Sequence, residues 1–314
     1  MATAQGSTAS LAGKTESTWG TAPTGNYSRL PFFTDSLGSA MSLTDDPVLG
    51  SGRDALQPAL GAIDVSGDIV VPLDVRDIGF WLRLLLGPAT VTGTGPYTHV
   101  FKSGATTLPS VAMELSLPET PAFLMRAGVM ANTMAIDFAP DGSAVPRATV
   151  GLLAKSETKA ATSGAGTVTT RAYAPFSQFQ GSIKRGGTTL ANLTAGSLNF
   201  ANGLTGVRTL GSGQALGGVD IGLASCTGSI TARFDSTTLY DAAVAGSVAT
   251  MDFIYLISAS QSLTLSLAGV MLEKAAFPVQ GPGAVTAQMN WRAFHQSPTA
   301  MLTATLVNDV SVYA

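Results

Sequence analysis

Apolar residues in this chain recur at every second position over several short runs. Val65, Ile69, Val71 and Leu73 alternate with Asp64, Ser66 and Asp68, with Val70 as the exception. Successive strand side chains point to opposite faces, so the run predicts a strand with one face in a core and the other in water. Val111, Met113, Leu115 and Leu117 alternate with Ala112, Glu114 and Ser116, and Met134, Ile136 and Phe138 with Ala135 and Asp137. Leu263, Leu265 and Leu267 alternate with Thr264 and Ser266, and Met289 and Trp291 with Gln288, Asn290 and Arg292. Only one strong run has helical spacing. Ile78, Trp81, Leu82 and Leu85 form an apolar stripe behind Asp74, a suitable N-cap, and ahead of Gly87, a suitable stop.

The pattern occurs twice. A shift of 161 residues lays Ser36 to Asp74 on Ser197 to Asp235 without a gap. Leu49-Gly50-Ser51-Gly52 meets an identical Leu210-Gly211-Ser212-Gly213, and Gly61, Gly67, Ile69 and Asp74 meet Gly222, Gly228, Ile230 and Asp235. The apolar register is carried along: Cys226, Ile230, Ala232 and Phe234 alternate with Ser225, Thr227, Ser229 and Thr231. Leu239, Ala242 and Ala243 repeat the helical stripe weakly before Gly246. The expected fold is mainly β, two tandem antiparallel β-sandwich or barrel-like domains with one short helix each. The expected boundaries are an N-terminal arm over 1–28, a first repeat over 29–155, a linker over 156–175 and a second repeat over 176–314. Val91 to Lys102, with Gly93-Thr94-Gly95 near its start, predicts a protruding β-hairpin.

Composition narrows the function. With 314 residues and 45% hydrophobic content the chain can build real cores, and abundant Gly with few charges suits short strands and tight turns. Seventeen Lys and Arg against 20 Asp and Glu give a net charge of -3, with no basic run to grip successive phosphates. One cysteine, Cys226, excludes an intrachain disulfide and suits a reducing compartment. Met1 to Gly6 shows no signal-peptide pattern and no stretch is apolar enough to span a bilayer, so neither secretion nor a membrane partner is expected.

Catalytic chemistry finds little to stand on. His99 and His295 are isolated in sequence, and Cys226 lies on the apolar face of its strand, where a buried inert thiol is expected. No nucleophile elbow, phosphate loop or Cys-x-x-Cys pair is present. Asp45, Asp46 and Asp54 lack the spacing of a calcium loop and read as an acidic turn. No catalytic residue, metal or cofactor is expected.

The run Glu16-Ser17-Thr18-Trp19-Gly20-Thr21-Ala22-Pro23 resembles the N-terminal signature of one family of phage tail tube proteins. Gly61 to Leu73 is similar to that family's strand leading to a short helix, and Pro96-Tyr97-Thr98-His99-Val100-Phe101 to its following hairpin. The resemblance implies a virion-tail subunit, assembled in the host cytoplasm. Its sheets would join those of neighbours into rings that stack as a hollow conduit for double-stranded DNA, alongside other tail proteins. Barrels of about 16 to 22 strands leave only a solute channel or a plugged lumen, so a duplex needs on the order of two dozen strands. Three two-repeat chains could supply them, giving a trimeric ring with pseudo-sixfold symmetry.

On this reading the lumen candidates are Asp64, Ser66, Asp68, Glu114, Asp137, Ser225, Thr227, Ser229 and Gln288. The alternative for each is an ordinary solvated sheet face. Trp19, Arg53, Tyr97 and His99 are the candidate inter-subunit contacts, with the arm and the hairpin expected to touch neighbouring rings. Rival readings are another β-rich virion protein, such as a decoration, tail-tip or adhesin module, or a β-rich hydrolase with carboxylates on distant strands.

Overall fold

The computed structural model describes residues 3–45, 49, 52–140, 145–279 and 281–313. Asp46, Gly50 and Ser51 lie outside the described residues. In the first repeat, β1 (Ser10–Thr15), β2 (Ser28–Leu30), β3 (Thr34–Asp35), β4 (Gly38–Thr44) and β5 (Ala59–Pro72) precede helix α1 (Ile78–Leu86). There follow β6 (Thr90–Thr92), β7 (Tyr97–Lys102), β8 (Val111–Leu117), β9 (Ala122–Phe138), β10 (Arg147–Ala154) and β11 (Ser156–Ala160). In the second, β12 (Gly181–Arg185), β13 (Thr188–Thr189), β14 (Leu193–Ala201), β15 (Thr205–Val207), β16 (Gly218–Asp220) and β17 (Ser225–Arg233) precede α2 (Thr238–Val244). The chain closes with β18 (Ala249–Ser258), β19 (Gln261–Leu272), β20 (Thr286–Phe294) and β21 (Leu302–Asn308).

Each repeat is a pair of antiparallel layers sharing one long strand. In the first, β2, β1, β8, the front of β9 and β11 make one layer, and β4, β5, β10 and the rear of β9 make the other. The second repeat reproduces this order with β13, β12, β18, β19 and β21, and with β14, β17, β20 and β19. The duplicated residues explain the agreement. A Cβ on Gly67 would lie 2.4 Å from the Ser36 carbonyl, and one on Gly228 would lie 2.0 Å from that of Ser197. Only glycine admits so close a backbone approach. Ser36 Oγ accepts from the Asp68 amide at 2.9 Å, and Ser197 Oγ from the Ser229 amide at 3.0 Å. The shift of 161 residues therefore relates identical clips in space.

The two layers of strands that carry the polar alternation fuse within the chain. β14 of the second repeat pairs with the rear of β9 from the first, Gly196 opposite Phe138 through Ala201 opposite Thr133. Phe138 thereby enters the second core, its ring 4.9 Å from Phe253 and 5.0 Å from Tyr255. Asn202 fastens the seam by donating to the carbonyls of Leu85 at 2.8 Å and Ala131 at 3.0 Å.

The helices differ as their sequences do. Every residue of α1 except Arg83 is buried, as an element apolar all round must be, whereas α2 buries none. Asp74 is not the N-cap of α1, which is Asp77 and makes no side-chain capping bond; Asp74 shapes the turn before the helix, its carboxylate accepting from the amides of Arg76 at 2.8 Å and Asp77 at 3.0 Å. Asp235 instead accepts from the Asn192 side chain.

Two expected appendages are built into the body. The arm expected over 1–28 contains β1, which lies between β2 and β8 with Leu11 fully buried, so the subunit itself orders this segment. The expected linker begins as β11 on β9, then crosses the first repeat, where the Thr169 amide donates to the Tyr27 carbonyl at 2.8 Å and the Tyr27 amide to the Ala165 carbonyl at 3.1 Å. The hairpin β6–β7 does form, but it does not protrude, because β7 pairs along β21.

Leu85→Ala should cost about 2–5 kcal/mol of subunit stability, through lost burial and a residual cavity. Val244→Ala, on exposed α2, should stay within about 0.5 kcal/mol. Urea unfolding of the two variants checks the contrast.

Candidate functional site

The seam creates one continuous wall in the order β4, β5, β10, β9, β14, β17, β20. Because strand side chains alternate, residues directly opposite one another share a face. Asp137, Ser197, Ser229 and Asn290 are successive partners across four strands, and Ala135, Asn199, Thr227 and Arg292 form the neighbouring row. Asp64, Ser66, Asp68, Asp137, Ser225, Thr227 and Gln288 are exposed on this face, and Ser229 is half-buried, its Oγ 3.1 Å from that of Ser197. Leu198, Phe200, Met134, Ile136, Cys226, Ile230 and Met289 point the other way into the core. The side chains on this face are short and mostly neutral. Two of its charges are met locally, Asp64 by Arg208 at 2.5 Å and Arg292 by Glu273 at 3.3 Å.

Glu114 does not belong to the face. It lies on β8 in the other layer and is only 1% exposed. Its carboxylate accepts from Ser163 Oγ at 2.5 Å and the Gly164 amide at 2.6 Å, pinning the crossing segment to the sheet. Alternation correctly set it opposite Met113 and Leu115, but a segment some fifty residues later covers that side. Conversely Ser197, Asn199 and Asn290 join the polar rows although the sequence reading did not select them. Their signal was the alternation of Ser197 and Asn199 with Leu198 and Phe200.

The proposed contact residues divide. His99 is fully buried, its Nε2 2.7 Å from the Val310 carbonyl and its ring 5.0 Å from Tyr313. It therefore cannot meet another subunit. Tyr97 is half-buried opposite Asn308, and Trp19 is half-buried with Lys155 Nζ 4.9 Å from its ring, both engaged inside the subunit. Arg53 is exposed.

A buried ion pair network stands behind the open edge of the wall. Arg126 donates to Asp35 on β3 at 2.6 Å and to Glu157 on β11 at 3.0 Å, and Glu157 also accepts from Ser39 Oγ at 2.8 Å. These contacts fix β3 and β4 against the subunit body. Among the described residues no group of three or more His, Cys, Asp or Glu is placed to hold a metal ion. Cys226 is buried, and burial pushes its thiol up to about 12.

Two outcomes follow from these placements. Glu114→Ala should cost about 1.5–3 kcal/mol by removing the charged acceptor that holds Ser163 and Gly164 on the sheet, while Asp137→Asn should stay within about 0.5 kcal/mol, as read by thermal unfolding. At pH 8 the Cys226 thiolate should be about one part in ten thousand, so a thiol reagent should label the folded chain far more slowly than the urea-unfolded chain.

No curated protein matches the chain. A family model described as phage tail tube protein matches residues 6–293, a span that runs from before β1 into β20 and includes the whole seam between the repeats. The duplicated sandwich with its uninterrupted polar wall belongs, by that match, to the phage tail tube protein family.

Proposed function

We propose that three copies of this chain close into a ring with pseudo-sixfold symmetry, and that stacked rings form a hollow conduit through which double-stranded DNA passes. The observation that carries this reading is the seven-strand wall, polar on one face and ending at β4 with no further strand among the described residues. A barrel wide enough for a duplex needs on the order of two dozen strands, about eight from each of three chains. An edge of unpaired backbone groups favours association with another strand, and unlike edges at the two ends lead head to tail into a closed ring.

The polar face would line the bore. Asp68 and Asp137 repel phosphate, the Ser, Thr and Asn of the rows carry no charge, and Arg292 is countered by Glu273, so DNA would slide without being gripped. Assembly would take place in the host cytoplasm, with other tail proteins at the tube's ends. The chain would carry no catalytic role, no metal and no cofactor. An inert Cys226 and an engaged His99 support that, since neither offers a nucleophile or base to a substrate.

Negative-stain microscopy of the purified chain should show hollow filaments, and scanning transmission mass measurement should give three chains per ring. Six chains per ring, or discrete particles under every assembly condition, would reject the proposal.

A further inference from the structure

We infer that the wall is completed by a second copy of the chain, whose β3–β4 edge pairs antiparallel with residues 273–279, setting Lys274 opposite Ala40 and Phe277 opposite Leu37. The inference rests on the tube reading above and specifies which edges meet.

The internal duplication supplies the template. Ala131 on β9, opposite Leu152, corresponds to Leu272 on β19, opposite Trp291. Past Ala131 the first repeat bulges and then runs from Thr133 to Phe138 between β10 and β14. Past Leu272 the second repeat starts the same course, the Glu273 amide donating to the Asn290 carbonyl at 2.8 Å. Ala275 and Phe277 pack on the core as Met134 and Ile136 do, so the bulge recurs at the same place. The shift here is 141 residues, which takes Thr133 to Lys274 and Ile136 to Phe277. Residues 273–279 nevertheless carry no strand assignment. In the first repeat that flank belongs to β14, and among the described residues no ladder supplies its equivalent.

The matching edge is at the other end of the wall. β14 is paired with a strand on both sides, whereas its counterparts β3 and β4 carry no strand beyond β5 among the described residues, the Ser39 amide reaching the Glu157 carboxylate at 3.4 Å instead. Applying 161 residues to the seam sets Ala40 where Ala201 stands and Leu37 where Leu198 stands. The burial then agrees: Leu37 is buried and Phe277 half-buried, while Ala40 and Lys274 are both exposed, the Lys274 ammonium reaching back to 5.8 Å from the Tyr240 ring on α2.

A second feature points to the same neighbour. Within the chain, the loop after β15 lies over β5: the Ile63 amide donates to the Gln214 carbonyl at 3.0 Å, and Gln214 Nε2 to the Gly61 carbonyl at 2.9 Å. The equivalent surface of the second repeat, around Gly222 and Ala224, lines an open concavity of about 710 Å³ in which Leu223 is 94% exposed. The residue equivalent to Gln214 is Arg53, so the next subunit's Arg53 would lie over Gly222. Met41 replaces the Asn202 clamp at this junction. The seam between chains is therefore held by backbone ladder and apolar contact, without the side-chain fastening of the internal one.

The test is a chain carrying both Ala40→Cys and Lys274→Cys, oxidised during assembly and examined by non-reducing electrophoresis and negative-stain microscopy of the same sample. Directly opposed strand residues have Cβ atoms about 4.5–5.5 Å apart, near disulfide reach. The expected result is a covalent ladder ending at three chains in hollow tubes, with no ladder from either single variant or from Ala40→Cys with Val279→Cys. Tubes lacking the ladder would overturn the seam and leave the tube reading intact. Cross-linked rings that never stack would uphold the seam and overturn the tube. On the unsubstituted chain, assembly should slow amide exchange across 36–40 and 274–277 by about tenfold or more, and unchanged exchange there in assembled tubes would also overturn the seam.

Discussion

The organising constraint of this protein is that a strand edge presents backbone donors and acceptors that need partners. Inside each repeat the constraint is met by bending one long strand through both layers, so that β9 and β19 each serve two sheets. Between repeats it is met by β14 closing on β9. The outer margins of the duplicated wall are the places where one chain does not meet it. Among the described residues β4 has no strand beyond it, only the Glu157 carboxylate at its Ser39 amide, and Met41 and Leu43 are exposed.

Duplication accounts for why the inner seam is more than a ladder. Asn202 reaches across to the carbonyls of Leu85 and Ala131, and Asn132 accepts from the Leu204 amide at 2.8 Å. Phe138 adds an aromatic contact in the neighbouring core. Once two modules shared a chain, their junction could gain permanent polar fastenings of this kind, whereas a junction between separate chains must also come together from solution. The same divergence shows in the helices, where α1 has become the centre of the core and α2 a surface turn. The hairpin β6–β7 has no second copy: it extends the second repeat's outer layer through β21, and only Ala245 to Val248 separate α2 from β18.

Much of this was legible in the sequence, for reasons that also mark its limits. The alternation around Val65 and Ile69, and around Cys226 and Ile230, reads correctly because those strands are buried on one face only. The repeat reads correctly because Gly67 and Gly228 must each meet a serine carbonyl where no side chain fits. Glu114 misled because alternation says which side of a strand a residue takes, not what later segment lies over that side. β1 was hidden because Leu11, Ala12 and Gly13 make too short an apolar run to announce a strand; burial comes from the sheet they enter. His99 looked available for the same reason, its place being set by β21 some two hundred residues away.

The central claim, that two fused modules continue their wall into identical neighbours, is tested most directly by an electron cryomicroscopy reconstruction of the assembled protein. The account predicts a closed bore wall of about 24 strands crossed by six near-equivalent seams, three of them within chains at β9 and β14 and three between chains. A wall whose chains touch only through loops, with the β4 edge left facing solvent, would contradict it.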